Sequence, residues 1–73
     1  MIPFTINNTG NNPMRYIVTA INSGSRYYDG QDIATAIFKA ENSGFECTLW
    51  HMAYGEIIQT DCYSPFNGWH IVV

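Results

Sequence analysis

The clearest periodic pattern in this chain is a stripe of apolar residues with helical spacing. Four residues follow the positions i, i+3, i+4 and i+7, namely Ile33, Ala36, Ile37 and Ala40. That spacing places them on one face of an α-helix. We therefore predict a helix over residues 30–42, with Gly44 just past its end in the left-handed conformation that closes many helices.

The stretch RYYDGQD, residues 26–32, comes directly before this stripe and is predicted to start the helix. With Asp29 as the N-cap, Asp32 becomes the third helical residue, where its charge meets the unpaired amides of the first turn. Tyr28 and Ile33 then have the spacing of a hydrophobic staple, in which the residue before the cap packs on the fourth helical residue.

Segments with strand-like patterns lie on both sides of the predicted helix. Four of them are predicted as strands: residues 15–21, 45–52, 56–63 and 69–73. The first, RYIVTAI, carries apolar residues on both faces. The second alternates with a period of two, so that Leu49 points to one side of a sheet and Trp50 to the other. The Asn67-Gly68 pair before the last strand favours a two-residue type I′ turn.

This order of elements predicts an α+β fold in a single domain spanning residues 1–73. The order is (β)-β-α-β-β-β, with one helix packed on a mainly antiparallel sheet and residues 1–13 as a leader or short edge strand. A single helix covers only one face of such a sheet. Apolar residues of the second face, among them Trp50 and Ile57, must then be covered by the leader or contact another molecule.

The charge balance narrows the partners that this fold could have. Charged residues make up 12% of the chain, the formal net charge is −3, and the basic residues are Arg15, Arg26 and Lys39. Nucleic acid is not an expected partner, because binding to a phosphate backbone depends on clustered cations. The chain has no signal-peptide pattern and no apolar stretch near the roughly 20 residues that cross a bilayer. We expect a cytoplasmic protein without a membrane partner.

Four side chains could serve as soft metal ligands: Cys47, His51, Cys62 and His70. They do not form the close pairs that zinc sites use, and Cys47 and His51 would be about 13 Å apart on an extended strand. We expect no metal, no cofactor and two reduced thiols. Because no catalytic or phosphate-binding motif is present, we also expect no enzymatic activity. A small-ligand or metal-binding module built on these side chains remains an alternative.

Five residues are predicted to contact a protein partner: Arg26, Tyr27, Phe38, Trp50 and Tyr54. The first two are not needed to start the helix. Phe38 lies roughly 150° from the centre of the apolar stripe and should face solvent unless a loop or terminus covers it. Tryptophan and tyrosine are favoured anchors of protein interfaces, although packing within hairpins would also account for aromatic residues here.

In size, acidity and β-α-β-β-β order the chain resembles small phage or mobile-element proteins of the anti-CRISPR kind. The stretches that prompt this are the predicted helix IATAIFKAENSGF and the strands FECTLWHM and EIIQTDCY. The resemblance implies a non-enzymatic inhibitor that binds a host defence complex, such as CRISPR-Cas, in the host cytoplasm. The alternative from the fold itself is a structural or assembly subunit that forms a homodimer through an open sheet face or an edge strand.

Overall fold

A computed structural model of the protein describes residues 14–72 and confirms the predicted α+β fold. The elements are β1 Met14–Ala20, β2 Arg26–Gly30, α1 Ile33–Glu41, β3 Cys47–Ala53, β4 Glu56–Ser64 and β5 Gly68–Ile71. The five strands form one sheet in the order β2-β1-β3-β4-β5, and every neighbouring pair is antiparallel. The predicted leader or edge strand in residues 1–13 lies outside the described residues.

Strands β1 and β3, which are separated in the sequence by β2 and α1, are antiparallel neighbours in the sheet. A right-handed crossover would be required only if they were parallel. They are not parallel because the β1–β2 hairpin reverses the chain before α1 begins. Gly24, with a φ of 74°, lies in the connection of that hairpin, and its amide donates to the carbonyl of Ala20 at 2.9 Å.

The prediction that Asp29 caps the helix is wrong, as is the predicted helix start at residue 30. Asp29 lies in strand β2, and the helix begins at Ile33 with Asp32 as its N-cap. Asp32 accepts hydrogen bonds from the amide of Ala34 at 3.1 Å and from the hydroxyl of Thr35 at 2.6 Å. The N-cap is therefore three residues later than predicted. The reason is that residues 26–30 pair with strand β1, and a local capping pattern does not reveal this pairing.

Tyr28 is also placed in β2, so it does not occupy the staple position predicted for it. Its side chain packs on the core, and its hydroxyl accepts a hydrogen bond from the amide of Asp32 at 3.1 Å. A Cβ atom at Gly30 would overlap this tyrosine ring. The absence of a side chain at Gly30 thus lets Tyr28 reach across to the start of the helix.

The two hairpins after the helix use different turns. Tyr54 and Gly55 connect β3 to β4 with φ values of 53° and 81°, and positive φ at both central residues is the signature of a type I′ turn. The type I′ turn predicted at Asn67-Gly68 is wrong. A type I′ turn there would require a positive φ at Asn67, but Tyr54 is the only described residue other than glycine with a positive φ. Gly68, with a φ of 78°, instead pairs with Ser64 as the first residue of β5.

The core lies between α1 and the middle of the sheet. Its fully buried members are Val18, Ala36, Ala40, Cys47 and Leu49. The two alanines face the sheet from the predicted helical stripe, and their small side chains allow the helix to approach β1, β2 and β3 closely. The helix therefore lies over one half of the sheet and leaves much of β4 and β5 beside it.

Candidate partner-binding surfaces

The face of the sheet opposite α1 carries several incompletely buried apolar side chains. Strand alternation turns Cys47, Leu49 and His51 of β3 toward α1 and Thr48, Trp50 and Met52 away from it, so Leu49 and Trp50 lie on opposite sides as predicted. The register extends the second set to Ile17, which pairs with Trp50, and to Ile57, which pairs with Met52. We call this surface the open face and define it by Ile17, Trp50, Met52 and Ile57.

An irregularity in strand β4 increases the apolar area at one end of the open face. His51 pairs with Gln59 and the next residue, Met52, pairs with Ile57, so Ile57 and Ile58 together oppose Met52 in a β-bulge. Each of these two isoleucines is 55% exposed. Single exposed isoleucines are common on protein surfaces, but two in succession beside Met52 form a continuous apolar patch.

Polar groups surround the apolar centre of the open face. The indole nitrogen of Trp50 donates to the hydroxyl of Thr19 on β1 at 3.0 Å, which orients the ring toward that strand. Thr48 pairs with Thr19 on one side and with Cys62 on the other, so all three lie on this face. The open face therefore has hydroxyl groups next to its apolar residues, and these groups can exchange hydrogen bonds with a partner.

A charged cluster lies at the β1–β2 edge of the open face. Arg15 donates two hydrogen bonds to the carboxylate of Asp29, at 2.7 and 2.6 Å, and Arg26 donates a third at 3.1 Å. The hydrogen bonds from Arg15 hold the pKa of Asp29 below its ordinary value, and those to Asp29 raise the pKa of Arg15. The three groups carry a net charge of about +1 because both arginines stay protonated.

A second concave surface lies on the helix side of the sheet, between α1 and strands β4 and β5. Ile33, Ile37 and Glu41 recur every four residues and form a ridge along one side of it. The rest of its lining comes from the sheet: Leu49, Gln59, Asp61, Trp69, His70 and Ile71. We call this surface the α1–β4 groove, and its volume is about 410 Å³.

Hydrogen bonds organise the polar groups of the α1–β4 groove. Asp61 contacts the Nε2 atom of buried His51 at 2.6 Å and accepts a hydrogen bond from the side-chain Nε2 of Gln59 at 2.9 Å. Tyr16 packs edge-on against the His51 ring with 5.4 Å between ring centroids. These neighbours hold the Asp61 carboxylate in a defined orientation, and its side chain is 15% exposed.

One end of the α1–β4 groove is closed by a contact between helix and sheet. The indole nitrogen of Trp69 donates to the carboxylate of Glu41 at 2.8 Å, and the Trp69 ring packs on Tyr63 with 5.1 Å between centroids. The opposite end is bordered by exposed apolar groups, since Ile33 and Ile71 are 40% and 69% exposed. The groove thus has mainly apolar walls and two carboxylates.

The five residues predicted as partner contacts lie on different surfaces. Trp50 lies on the open face and Arg26 in the charged cluster at its edge. Phe38 is 60% exposed on the helix, and Tyr54 is 85% exposed at the tip of the β3–β4 turn. Tyr27 is half-buried and packs against the core. The fold therefore brings Trp50 and Arg26 to one face, whereas the contact role of all five remains a prediction.

Sequence reasoning did not identify the α1–β4 groove. The spacing of Ile33, Ile37 and Glu41 is visible in the sequence, but it indicates only that the three residues share a side of the helix. That Asp61 lies opposite this ridge depends on the register of β4 against β3, including the bulge that shifts it. No local pattern around Asp61 contains that information.

The cysteine and histidine residues do not converge in the described structure. Both thiols are free, with Cys47 buried beneath the helix and Cys62 on the open face of the sheet. Within residues 14–72, no group of three or more His, Cys, Asp or Glu side chains is arranged to hold a metal ion. The one helix in this part of the chain is too short to span a membrane.

Comparison of the chain with protein-family models, with curated proteins and with solved structures gave no match. The open face and the α1–β4 groove are therefore the features from which a function can be inferred.

Proposed function

We propose that this protein is a non-enzymatic binding protein, which holds a protein partner against its open face and thereby inhibits a host protein complex. The observation that carries the proposal is the apolar patch of Met52, Ile57 and Ile58, which continues into Trp50. Transfer of such a patch from water to a protein surface is favourable at about 25 cal/mol per Å².

The arrangement of the open face supports a protein as the partner. Interfaces commonly have an apolar and aromatic centre surrounded by polar and charged groups. Here Trp50 and Ile57 supply the apolar and aromatic surface, and the cluster of Arg15, Asp29 and Arg26 lies at one edge. The edge cluster would add orientation through a complementary carboxylate on the partner rather than a large share of the affinity.

A comparison of single variants tests the open face. Ile57→Asp introduces a charge at the centre of the patch and should reduce capture of a stoichiometric protein partner from host lysate by more than about tenfold, since the buried charge would be unpaired. Phe66→Asp is the matched control, because Phe66 is 93% exposed in the β4–β5 connection and away from the patch. Equal capture by both variants and the wild type would contradict the assignment.

Two further measurements test whether this face is covered by a second copy of the chain or by a segment of the same chain. Light scattering of the wild type across a range of concentrations detects the alternative function, a subunit that forms a homodimer through the open face. Urea unfolding tests whether residues of the same chain cover the open face. If they do, Ile57→Asp should lower the free energy of unfolding and leave partner binding unchanged. A monomer whose stability is insensitive to Ile57→Asp is the result that favours a separate protein.

The resemblance to anti-CRISPR proteins supports the inhibitory role and selects the first complexes to test. Cells with an active CRISPR-Cas system lose a targeted plasmid, and an inhibitor should restore its transformation. We expect restoration with the wild type and with Phe66→Asp, and loss of the effect with Ile57→Asp. If wild-type protein restores no transformation in strains that represent the main CRISPR-Cas types, this target class is rejected, while partner capture would still test binding.

A further inference from the structure

We infer that the α1–β4 groove receives an arginine side chain from an extended segment of a protein partner. The site lies on the helix side of the sheet, opposite the open face, and is therefore a second binding surface. The inference shares with the proposed function only the premise that the ligand is a protein.

The groove has the size and walls that a long side chain requires. Its volume of about 410 Å³ falls at the lower end of the range of roughly 300–1,000 Å³ that is typical of ligand pockets. Ile33, Ile37 and Leu49 supply apolar surface for the methylene groups of an arginine. Trp69 adds an aromatic ring, on which a guanidinium group stacks favourably.

The charges in the groove select a cation. Asp61 and Glu41 are the carboxylates of its lining, and no lysine or arginine lines it. The described arginines, Arg15 and Arg26, are held by Asp29 at the edge of the sheet farthest from β5. A cation from outside therefore meets two carboxylates in a mainly apolar site, where charge interactions are weakened less than in water.

The geometry around Asp61 favours arginine over lysine. Contacts with His51 and Gln59 fix the carboxylate, and each of its oxygens retains a second lone pair for a further donor. Guanidinium groups present paired N–H donors in a planar fork, which matches a fixed carboxylate better than a single ammonium does.

The edge strand β5 offers a place for the backbone of the segment. β5 is the last strand in the sheet order and pairs only with β4 among the described residues. An extended segment can add to such an edge through main-chain hydrogen bonds, so that alternate side chains face the groove side of the sheet. Ile71, which lines the groove and is 69% exposed, would contact the arginine side chain, and Val72, the next residue and 52% exposed, would contact an apolar residue that flanks the arginine.

Titration of the full chain with a pair of peptides tests this inference. The first is acetyl-Ile-Arg-Ile-amide, and the second has citrulline, an uncharged near-isostere, in place of arginine. We expect the arginine peptide to bind about tenfold more tightly, because hydrogen bonds that involve charged groups are stronger than those from the uncharged citrulline. NMR shifts should centre on the Trp69 indole N–H and the Ile71 amide.

Variants that each remove one carboxylate charge test which residue causes the preference for arginine over citrulline. Asp61→Asn removes the charge with little change in shape and should abolish the preference for arginine over citrulline. Glu56→Gln makes the same change of charge outside the groove and should leave the preference unchanged. If Asp61→Asn does not fold, as judged by its NMR spectrum, Glu41→Gln takes its place and should reduce the preference about threefold, because an ion pair at an exposed carboxylate contributes little.

Equal binding of the two peptides, no binding of either peptide, or shifts that centre away from the groove would each overturn the inference. Retention of the arginine preference in the folded Asp61→Asn variant would overturn it as well. These outcomes leave the proposed function intact, because Ile57→Asp tests the open face separately. Conversely, loss of the open-face proposal would not change the peptide titration.

Discussion

Asp29 and Asp32 are three residues apart and have different roles, which only their partners distinguish. Asp29 accepts hydrogen bonds from Arg15 and Arg26 across the edge of the sheet. Asp32 accepts a hydrogen bond from the Thr35 hydroxyl, which is the main reason that its pKa is lowered, with a further contribution from the Ala34 amide. Both pKa values are depressed, but only Asp32 acts on the helix.

The lowered pKa of Asp32 predicts a pH-dependent contribution to stability. A carboxyl group with a depressed folded pKa stabilises the fold above its unfolded pKa of about 3.9, and this contribution is lost as the pH falls through the folded value. Asparagine caps helices without a charge. The free energy of unfolding of wild type should therefore exceed that of Asp32→Asn at pH 6, and the difference should shrink toward pH 3.

Urea unfolding monitored by circular dichroism at pH 6 and pH 3 measures this difference. Glu56→Gln is the control for the loss of one carboxylate, because Glu56 lies at the start of strand β4 and not at the first turn of the helix. A difference between wild type and Asp32→Asn that stays constant from pH 6 to pH 3 would be inconsistent with the charged cap.

The two cysteine residues should differ strongly in reactivity. Cys47 is fully buried beneath the helix, and its sulfur lies 3.3 Å from the Ser43 hydroxyl. Cys62 is partly exposed on the opposite face of the sheet, so the two thiols cannot be joined without disrupting the fold. Reaction with iodoacetamide under native conditions should modify Cys62 first, and peptide mapping by mass spectrometry identifies the modified residue. Equal rates would contradict the assigned burial.

At the scale of an element, the β3–β4 hairpin contains an unusual turn residue. Tyr54 has a positive φ of 53° and an 85% exposed side chain. The left-handed conformation costs roughly 1–2 kcal/mol for residues with a Cβ atom, and asparagine adopts it more readily than tyrosine. The turn therefore retains an aromatic residue where Asn-Gly would form the same hairpin more easily.

Tyr54→Asn should accordingly raise the free energy of unfolding by about 0.5–1 kcal/mol, as part of that conformational cost is removed. Gly55→Ala, at a φ of 81°, should lower it. Urea unfolding curves of the three proteins test both directions. Destabilisation by Tyr54→Asn would mean that the tyrosine side chain contributes more to the folded state than its exposure indicates.

At the scale of the whole molecule, one small core joins the helix to the sheet within residues 14–72. Leu49 is 1% exposed, lies under the helix, and pairs with Val18 on one side and Asp61 on the other. A domain of this size has a net stability of only about 3–5 kcal/mol from its core. Loss of a central side chain is therefore comparable with the total.

Leu49→Ala should cost about 2–5 kcal/mol and leave a large fraction of the chain unfolded at 25 °C. Loss of dispersion in the NMR spectrum would report this outcome. Ile57→Ala is the corresponding control on the open face, where the side chain is 55% exposed and its removal should cost much less. A fully folded Leu49→Ala variant would contradict the central position assigned to Leu49.

The sequence predicted those features that depend on short-range periodicity. The helical stripe correctly placed Ala36 and Ala40 in the core, and the alternation around Leu49 correctly separated the two faces of β3. Gly44 adopts the predicted left-handed conformation with a φ of 83°. The start of the helix could not be predicted correctly, because Asp29 and Asp32 both fit a local capping pattern and only pairing with β1 excludes Asp29.

The sequence by itself therefore determined the α+β class, the buried side of the helix and the existence of a second sheet face. Each of these depends on the 3.6-residue and two-residue periods, which bring near neighbours in the chain to one side. The tertiary structure decided that Arg26–Gly30 is a strand, that Ile57 and Ile58 both oppose Met52, and that Asp61 lies opposite the helix ridge. Those features depend on strand register and on where the helix lies across the sheet, both of which are set by contacts between residues distant in sequence.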